Sequence, residues 1–171
     1  SGLSYTCGDS VGVYVQNDPR VVQALLHALN LQGDARVCLS NHVEPMPLEK
    51  ALLKHCSLAQ PTPNFLRWML LHLQDREEQA FIEHLLLPEN AEALRAYLSI
   101  REYLDLAEEL HSLKVSAQDY VSQLRRLMPR LYSIASSPLL YPQQVHLTVD
   151  RVSYVSNGRV RLGVASSYLA D

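Results

Sequence analysis

The run D-S-V-G-V-Y-V from Asp9 to Val15 places Val11, Val13 and Val15 on one face at a period of two, the signature of a half-buried strand. That strand has no sheet to join for roughly a hundred residues, because from Pro47 to about Leu127 almost everything reads helical. Strand patterning returns only after Pro129. It covers R-L-Y-S-I-A-S from Arg130 to Ser136, V-H-L-T-V-D-R-V-S-Y-V from Val145 to Val155, and R-V-R-L-G-V from Arg159 to Val164. A lone strand must bury its face against partners, so the N-terminal strand is predicted to pair with the C-terminal ones around a helical insertion.

Local punctuation supports this division. Asn17 or Asp18 can cap a first helix, Pro19 suits its first turn, and Gly33 lies beyond its end. Val21, Val22, Leu25, Leu26 and Leu29 form that helix's apolar stripe. R-V-C-L between Ala35 and Ser40 reads as a short extra strand. Thr62-Pro63, Asp75 and Pro88 open further helices, with acidic Glu77 and Glu78 in the first turn after Asp75. Ser116 caps a last helix over 117–127 whose Arg125 and Arg126 suit a C-terminal turn. Asn157-Gly158 signals a two-residue hairpin, because a type I′ turn requires positive φ at both positions. In the long strand the apolar set runs Val145, Leu147, Val149 and then Val152, Tyr154, a phase slip at Asp150-Arg151 that a bulge would accommodate.

Composition narrows the function. The 171 residues suffice for a core without metal or disulfide help, and at this size a chain buries roughly 70% of its unfolded surface. A net charge of −3 offers no general attraction for nucleic acid or anionic lipid. Cys7, Cys38 and Cys56 are odd in number and widely spaced, which fits buried thiols in a reducing compartment, so the cytoplasm is the expected location. No apolar run approaches the roughly 20 residues that span a bilayer, and no basic-then-apolar leader is visible, so neither a membrane crossing nor export is expected.

Two segments carry chemistry. In R-L-Y-S-I-A-S-S, a strand puts Arg130 and Tyr132 on one face and Ser133 on the other. A fixed guanidinium beside an aromatic plane suits a ligand with phosphate at one place and a flat ring at another, as in a flavin dinucleotide. The alternative is an ordinary strand with a surface Arg and a half-buried Tyr. In G-V-A-S-S-Y-L-A-D, from Gly163 to Asp171, a glycine ends a strand and Ser166 or Ser167 can cap a helix whose free N–H groups would receive pyrophosphate. The alternative there is a plain strand-to-helix turn. Other constellations are weaker. Cys38, His42, His55 and Cys56 only superficially resemble zinc spacing, since adjacent ligands at 55 and 56 on a helix diverge by about 100°. No metal site is expected. His27, His72, His84 and His111 sit singly, Trp68 reads as helix core, Ser136-Ser137 lacks a nucleophile elbow, and Glu108-Glu109 reads as a solvated face.

Y-T-C-G-D-S-V-G-V-Y-V-Q-N-D-P, R-L-Y-S-I-A-S-S, V-H-L-T-V-D-R-V-S-Y and G-R-V-R-L-G-V-A-S-S-Y-L-A-D together resemble the FAD-binding region of the diflavin reductases, and most of all their sulfite-reductase branch. The resemblance covers the whole chain in order and is sharpest over about residues 3–19 and 129–171. It implies an α+β fold: an antiparallel β-barrel of the ferredoxin-reductase FAD-binding type, partial over 1–17 and 128–171, interrupted by an all-helical connecting insertion over 18–127. It implies FAD as cofactor, bound by Arg130, Leu131, Tyr132 and Ser133, with Arg130 on the pyrophosphate, Tyr132 stacked on the isoalloxazine and Ser133 near the flavin N5 in a catalytic role. Thr148, Val149 and Asp150 would line the cofactor, Tyr154 would stand near the adenine, and Gly163, Val164, Ala165 and Ser166 would hold the pyrophosphate.

The same resemblance implies an NADPH-dependent flavoprotein passing electrons through FAD to FMN and on to a haemoprotein. Its FMN-binding flavodoxin-like module, its NADPH-binding domain and the sulfite reductase haemoprotein subunit would be the partners, with FMN and NADP held outside these residues. Two positions depart from the pattern. Cys7 stands where a proline is usual before G-D, and Ala59 where the relatives offer a threonine to FAD. The chain reads as a fragment of such a reductase, inactive alone. Unpaired barrel edges would then bring weak FAD retention or pairing with another copy. A rival reading is a cofactor-free module whose helices dock a partner; a zinc adaptor is a more distant one.

Overall fold

The structure is a computed structural model that describes residues 4–6, 8–40 and 42–170. In chain order its elements are β1 (Ser10–Val13), α1 (Pro19–Ala28), β2 (Arg36–Val37), β3 (Met46–Pro47), α2 (Leu48–Lys54), α3 (Pro63–Leu70), α4 (Arg76–Leu85), a 3-10 turn (Pro88–Asn90), α5 (Ala91–Ser99), α6 (Tyr103–Glu109), α7 (Ala117–Ser122), β4 (Arg130–Ser133), β5 (Ser153–Ser156), β6 (Arg159–Leu162) and α8 (Val164–Ala170). They fall into two compact units. A strand unit comprises Ser1–Gln16, Met128–Val155 and Val160–Asp171, and a helical unit comprises Asn17–Leu127 with the hairpin tip Ser156–Arg159.

Side-chain caps start the helices of the helical unit. The Asp18 carboxylate accepts from Arg20 N, Thr62 Oγ1 from Phe65 N, the Asp75 carboxylate from Glu77 N and Glu78 N, and Ser116 Oγ from Asp119 N. Each satisfies amides that a first turn leaves without acceptors. The core runs through Leu25 and Leu26 of α1, Leu52 of α2, Phe65 and Leu66 of α3, Ile82 of α4, Leu106 of α6 and Tyr120 of α7. The Phe65 ring meets Tyr103 edge-on at 4.6 Å and Tyr120 at 5.8 Å, the geometry that aromatic quadrupoles favour. Asn17 is buried here, and its Nδ2 donates to the Leu52 and Cys56 carbonyls.

Several helical expectations are corrected. The first helix ends at Ala28 and turns through Asn30, at φ 52°, so it stops short of the stretch just before Gly33 to which the sequence reading extended it. Asparagine tolerates the left-handed conformation well enough to serve there. The last helix stops at Ser122 instead of 127, because Arg126 leaves it to form a strand-like bridge with Cys56 while the Arg125 carbonyl accepts from Ser57 N. The short strand read in R-V-C-L forms over Arg36–Val37 and pairs with Met46–Pro47, after which α2 begins at Leu48.

In the strand unit β1 pairs antiparallel with β4, in the register Ser10↔Ser133, Val11↔Tyr132, Gly12↔Leu131 and Val13↔Arg130. The N-terminal strand therefore does find its partner at the far end of the chain. Pairing then passes to a single bridge between Ile134 and Leu147, with Ala135 N donating to the His146 carbonyl. The long strand expected over 145–155 is not continuous. Residues 148–152 belong to no strand, and β5 begins only at Ser153. A ladder cannot keep its inward face across a one-residue slip, so the phase change at Asp150-Arg151 breaks the strand instead of bulging it.

β5 and β6 form the expected hairpin, with Asn157 at φ 49° and Gly158 at φ 70°. Among the described residues the strands make three two-stranded antiparallel sheets and no closed barrel, so the mixed α+β character holds while barrel closure is not observed. No helix among the described residues is long and apolar enough to cross a membrane.

Candidate functional site

All the residues singled out for a flavin lie in the strand unit. Arg130, Leu131, Tyr132 and Ser133 are the four residues of β4. Direct cross-strand neighbours share a face, so Arg130 and Tyr132 lie beside Val13 and Val11, whereas Leu131 and Ser133 lie beside Gly12 and Ser10. Arg130 is exposed and Tyr132 half-buried, which leaves a guanidinium and a ring edge accessible on the same side. Leu131 lies across from Gly12, where a Cβ would make only an ordinary 3.6 Å contact with Leu131 Cδ2.

Thr148, Val149 and Asp150 run without strand pairing, with Thr148 and Asp150 exposed and Val149 half-buried. Tyr154, on β5, leaves 53% of its surface free, enough for a flat ligand to lie against it.

Val152, Gly163 and Ser166 tie the next part of the unit together. Gly163 N donates to the Val152 carbonyl at 2.9 Å, and Val152 N donates to Ser166 Oγ at 3.1 Å. Ser166 Oγ in turn donates to the Gly163 carbonyl at 3.2 Å, which also receives Ser167 N at 2.9 Å. A Cβ on Gly163 would lie 2.7 Å from Ser166 Oγ and 2.8 Å from Val152 Cβ, so only glycine fits. The expected serine caps are corrected: α8 begins at Val164, with Gly163 in the capping position and Ser166 and Ser167 inside the first turn. First-turn amides have no intrahelical acceptor, the feature that makes such turns receptive to anions.

Charge is distributed unevenly between the units. The strand unit carries Arg130, Arg151 and Arg161 against Asp9, Asp150 and Asp171 and is neutral, leaving the whole net charge of −3 on the helical unit. An anionic cofactor thus meets no general repulsion from the residues that would hold it.

A family model described as an FAD binding domain matches residues 1–168. The chain belongs to this family. FAD is accordingly the cofactor of this region, and the arrangement suits it: an exposed guanidinium beside a half-buried phenol, and a glycine turn too tight for any side chain. The chain is 40% identical over its full length to the sulfite reductase [NADPH] flavoprotein alpha-component of Bacillus subtilis, covering 28% of that protein. It is 37% identical to that of Blochmanniella floridana and 40% identical to that of Yersinia pestis, again over its full length and covering 27% of each. It therefore spans about a quarter of the length of the curated relatives it matches.

Arg161 escaped the sequence reading. Its side chain is buried, at 6% exposure, in a strand whose Val160 and Leu162 face outward. R-V-R-L read as an apolar alternation suggests the opposite facing, and only the pairing of the two arginines at a spacing of two hints that the charged face turns inward. Ala59 lies between α2 and α3 in the helical unit, while Cys7 and Asp171 fall outside the described residues. The superficial zinc spacing comes to a pair of rings: His42 and His55 meet edge-on at 4.3 Å, and no group of three or more His, Cys, Asp or Glu among the described residues could hold a metal ion. Burial of the His55 imidazole, reinforced by His42, Lys50, Lys54 and Arg126, holds its pKa below the ordinary value.

Proposed function

We propose that the strand unit holds FAD, with Arg130 on the pyrophosphate, Leu131 flanking it, Tyr132 stacked on the isoalloxazine and Ser133 donating toward the flavin N5. In this reading Thr148, Val149 and Asp150 line the cofactor, Tyr154 shields the adenine end, and the backbone from Gly163 through Val164, Ala165 and Ser166 cradles the phosphates. The β1–β4 and β5–β6 pairs are then parts of an antiparallel FAD-binding barrel of the ferredoxin-reductase type, and 18–127 is the helical connecting insertion. When bound, FAD supplies the uptake of a hydride and the release of single electrons, which no protein side chain provides. The chain's own contribution is to bind, to orient and to exclude water. Arg130 can offer two parallel N–H donors to phosphate, and Tyr132 can exclude water from one face of a flat ring.

In the longer flavoprotein this region would pass electrons from NADPH through FAD to FMN and on to a sulfite reductase haemoprotein, the FMN-binding and NADPH-binding modules lying outside these residues. The observation that carries the reading is the placement of Arg130 and Tyr132 side by side on one face of β4, within a chain that belongs to the FAD-binding family. FAD titration, followed by flavin fluorescence with far-UV circular dichroism as the folding control, tests it. Arg130→Ala combined with Tyr132→Ala is expected to weaken binding by at least a hundredfold with the helical signal retained. Unchanged affinity in that variant would refute the assignment and favour a cofactor-free docking module.

A further inference from the structure

Asn157 is followed by Gly158 at the turn of the β5–β6 hairpin, and no other asparagine of the chain precedes a glycine. An asparagine in this setting loses its side-chain amide without any enzyme. The Gly158 amide nitrogen attacks Asn157 Cγ, an N–Cγ bond forms, the Cγ–Nδ2 bond breaks, and ammonia leaves with the proton of the attacking amide. Water then opens the five-membered imide at either carbonyl, giving aspartate or, where the main chain comes to run through Cγ, isoaspartate. We propose that Asn157 is a site of spontaneous deamidation in the folded protein, and that the modification releases the hairpin tip from α6.

Two features of the turn favour the attack. Both residues are exposed, and nothing stands within 4 Å of where a Gly158 side chain would be, so the nucleophile has no steric screen. A two-residue turn closes through its flanking residues, Ser156 and Arg159, which leaves the Gly158 amide outside the ladder. The opposing restraint is slight: Asn157 Nδ2 donates to Glu109 Oε1 at 3.2 Å, a single side-chain bond at the surface.

The consequence follows from what the tip touches. Ser156–Arg159 belongs to the helical unit. Ser156 Oγ donates to the Ile100 carbonyl at 2.9 Å, Asn157 donates to Glu109, and Arg159 pairs with Asp105 at 3.6 Å and with Glu108. The other oxygen of Glu109, Oε2, accepts from Tyr97 Oη at 2.9 Å and from Arg101 Nε at 2.8 Å, so this carboxylate is held in place and does not swing away from a new charge. Deamidation turns the amide donor facing Glu109 Oε1 into a second carboxylate, and attraction becomes repulsion. Isoaspartate also adds a methylene to the main chain, which a two-residue turn absorbs only by losing the spacing of Ser156 and Arg159.

The test incubates the intact protein at mildly alkaline pH, folded and in urea, and maps its peptides by mass spectrometry. The expected result in the folded protein is a gain of one mass unit at Asn157, about tenfold faster than at Asn30, Asn64 or Asn90, because only Asn157 has a glycine nitrogen behind it. The product should split into two species, of which the isoaspartyl one takes a methyl group from S-adenosylmethionine when a protein isoaspartyl carboxyl methyltransferase is added as probe. Hydrogen exchange reads the release. The aged protein and Asn157→Asp, which brings the charge without the backbone change, should both exchange amides at 153–162 about fivefold faster than fresh wild type, with the α1 and α3 peptides unchanged. A mass gain at Asn157 confined to the urea sample, or no faster than at the other asparagines, overturns the site. Unaltered exchange at 153–162 in the aged protein overturns the release.

Discussion

Gly163 and Cys56 show how far a single residue's surroundings decide its behaviour. Gly163 has no room for a side chain, so Gly163→Ala must push Val152 and Ser166 apart. Overpacking of this kind costs about 1–3 kcal/mol, measurable as a lower urea midpoint with unchanged slope, and FAD binding should weaken with it. Gly163 was legible from sequence as the end of a strand before a serine-rich turn, whereas the reason for the glycine, a neighbour eleven positions back in the chain, was not. Cys56 makes the complementary point. Burial pushes its thiol up to about 12, while Cys38 is exposed. Since the thiolate is the reactive form, alkylation at pH 8 followed by peptide mass spectrometry should label Cys38 rapidly and leave Cys56 unmodified until the protein unfolds. Rapid labelling of Cys56 in the folded protein would show that the helical core opens around it.

Helix starts were readable because capping is local: the side chain and the amide it satisfies lie within three residues of each other. Asp18 caps α1 and is held below the usual carboxylate range, chiefly by its bond to the Arg20 side chain. Asp18→Ala should cost about 1 kcal/mol of stability, whereas Asp18→Asn should retain most of the cap. The sign of the pH effect follows from the lowered value. Stability contributed by the Asp18 charge is complete above the ordinary carboxylate range near pH 4 and fades as pH falls through the depressed folded value, so Asp18→Asn should flatten the acid limb of a stability profile. His55 carries the same sign from a different cause, burial rather than an attractive partner. Its folded pKa is lowered, so its contribution is intact above the ordinary histidine range near 6.5 and is lost as pH drops below it. His55→Gln should therefore narrow the difference in urea midpoint between pH 7.5 and 5.5, and an unchanged difference would count against burial as the cause. Strand ends were less legible than helix starts. A ladder depends on partners far away in sequence, and nothing near Asp150 and Arg151 announces whether a phase slip becomes a bulge or a break.

The contiguous apolar core, from Val22 to Val121, lies wholly within the helical unit. The strand unit buries Val15 and Ala165 together with the polar Ser136, Arg161, Ser166 and Ser167, while Leu131, Val155 and Val160 remain exposed. The alternation of strand, helices and strands foretold this partition of elements. It did not foretell the partition of burial, because β6 buries Arg161 and exposes Val160 and Leu162 against the usual apolar-in pattern. Hydrophobic burial is the main favourable term in folding, so the unit with no apolar cluster among its described residues should open at lower free energy than the unit that has one. Hydrogen exchange read by mass spectrometry should show peptides from α1, α3 and α6 protected close to the global limit, and peptides spanning 128–155 exchanging orders of magnitude faster. Anything that binds only the closed form stabilises it by mass action, so saturating FAD should slow exchange in the strand unit while leaving the helical peptides nearly unchanged. Uniform protection across both units without FAD would mean that the polar interior of the strand unit, held by hydrogen bonds such as those of Ser136 and Ser166, is as cooperative as the leucine core, and that cofactor binding is not what orders it.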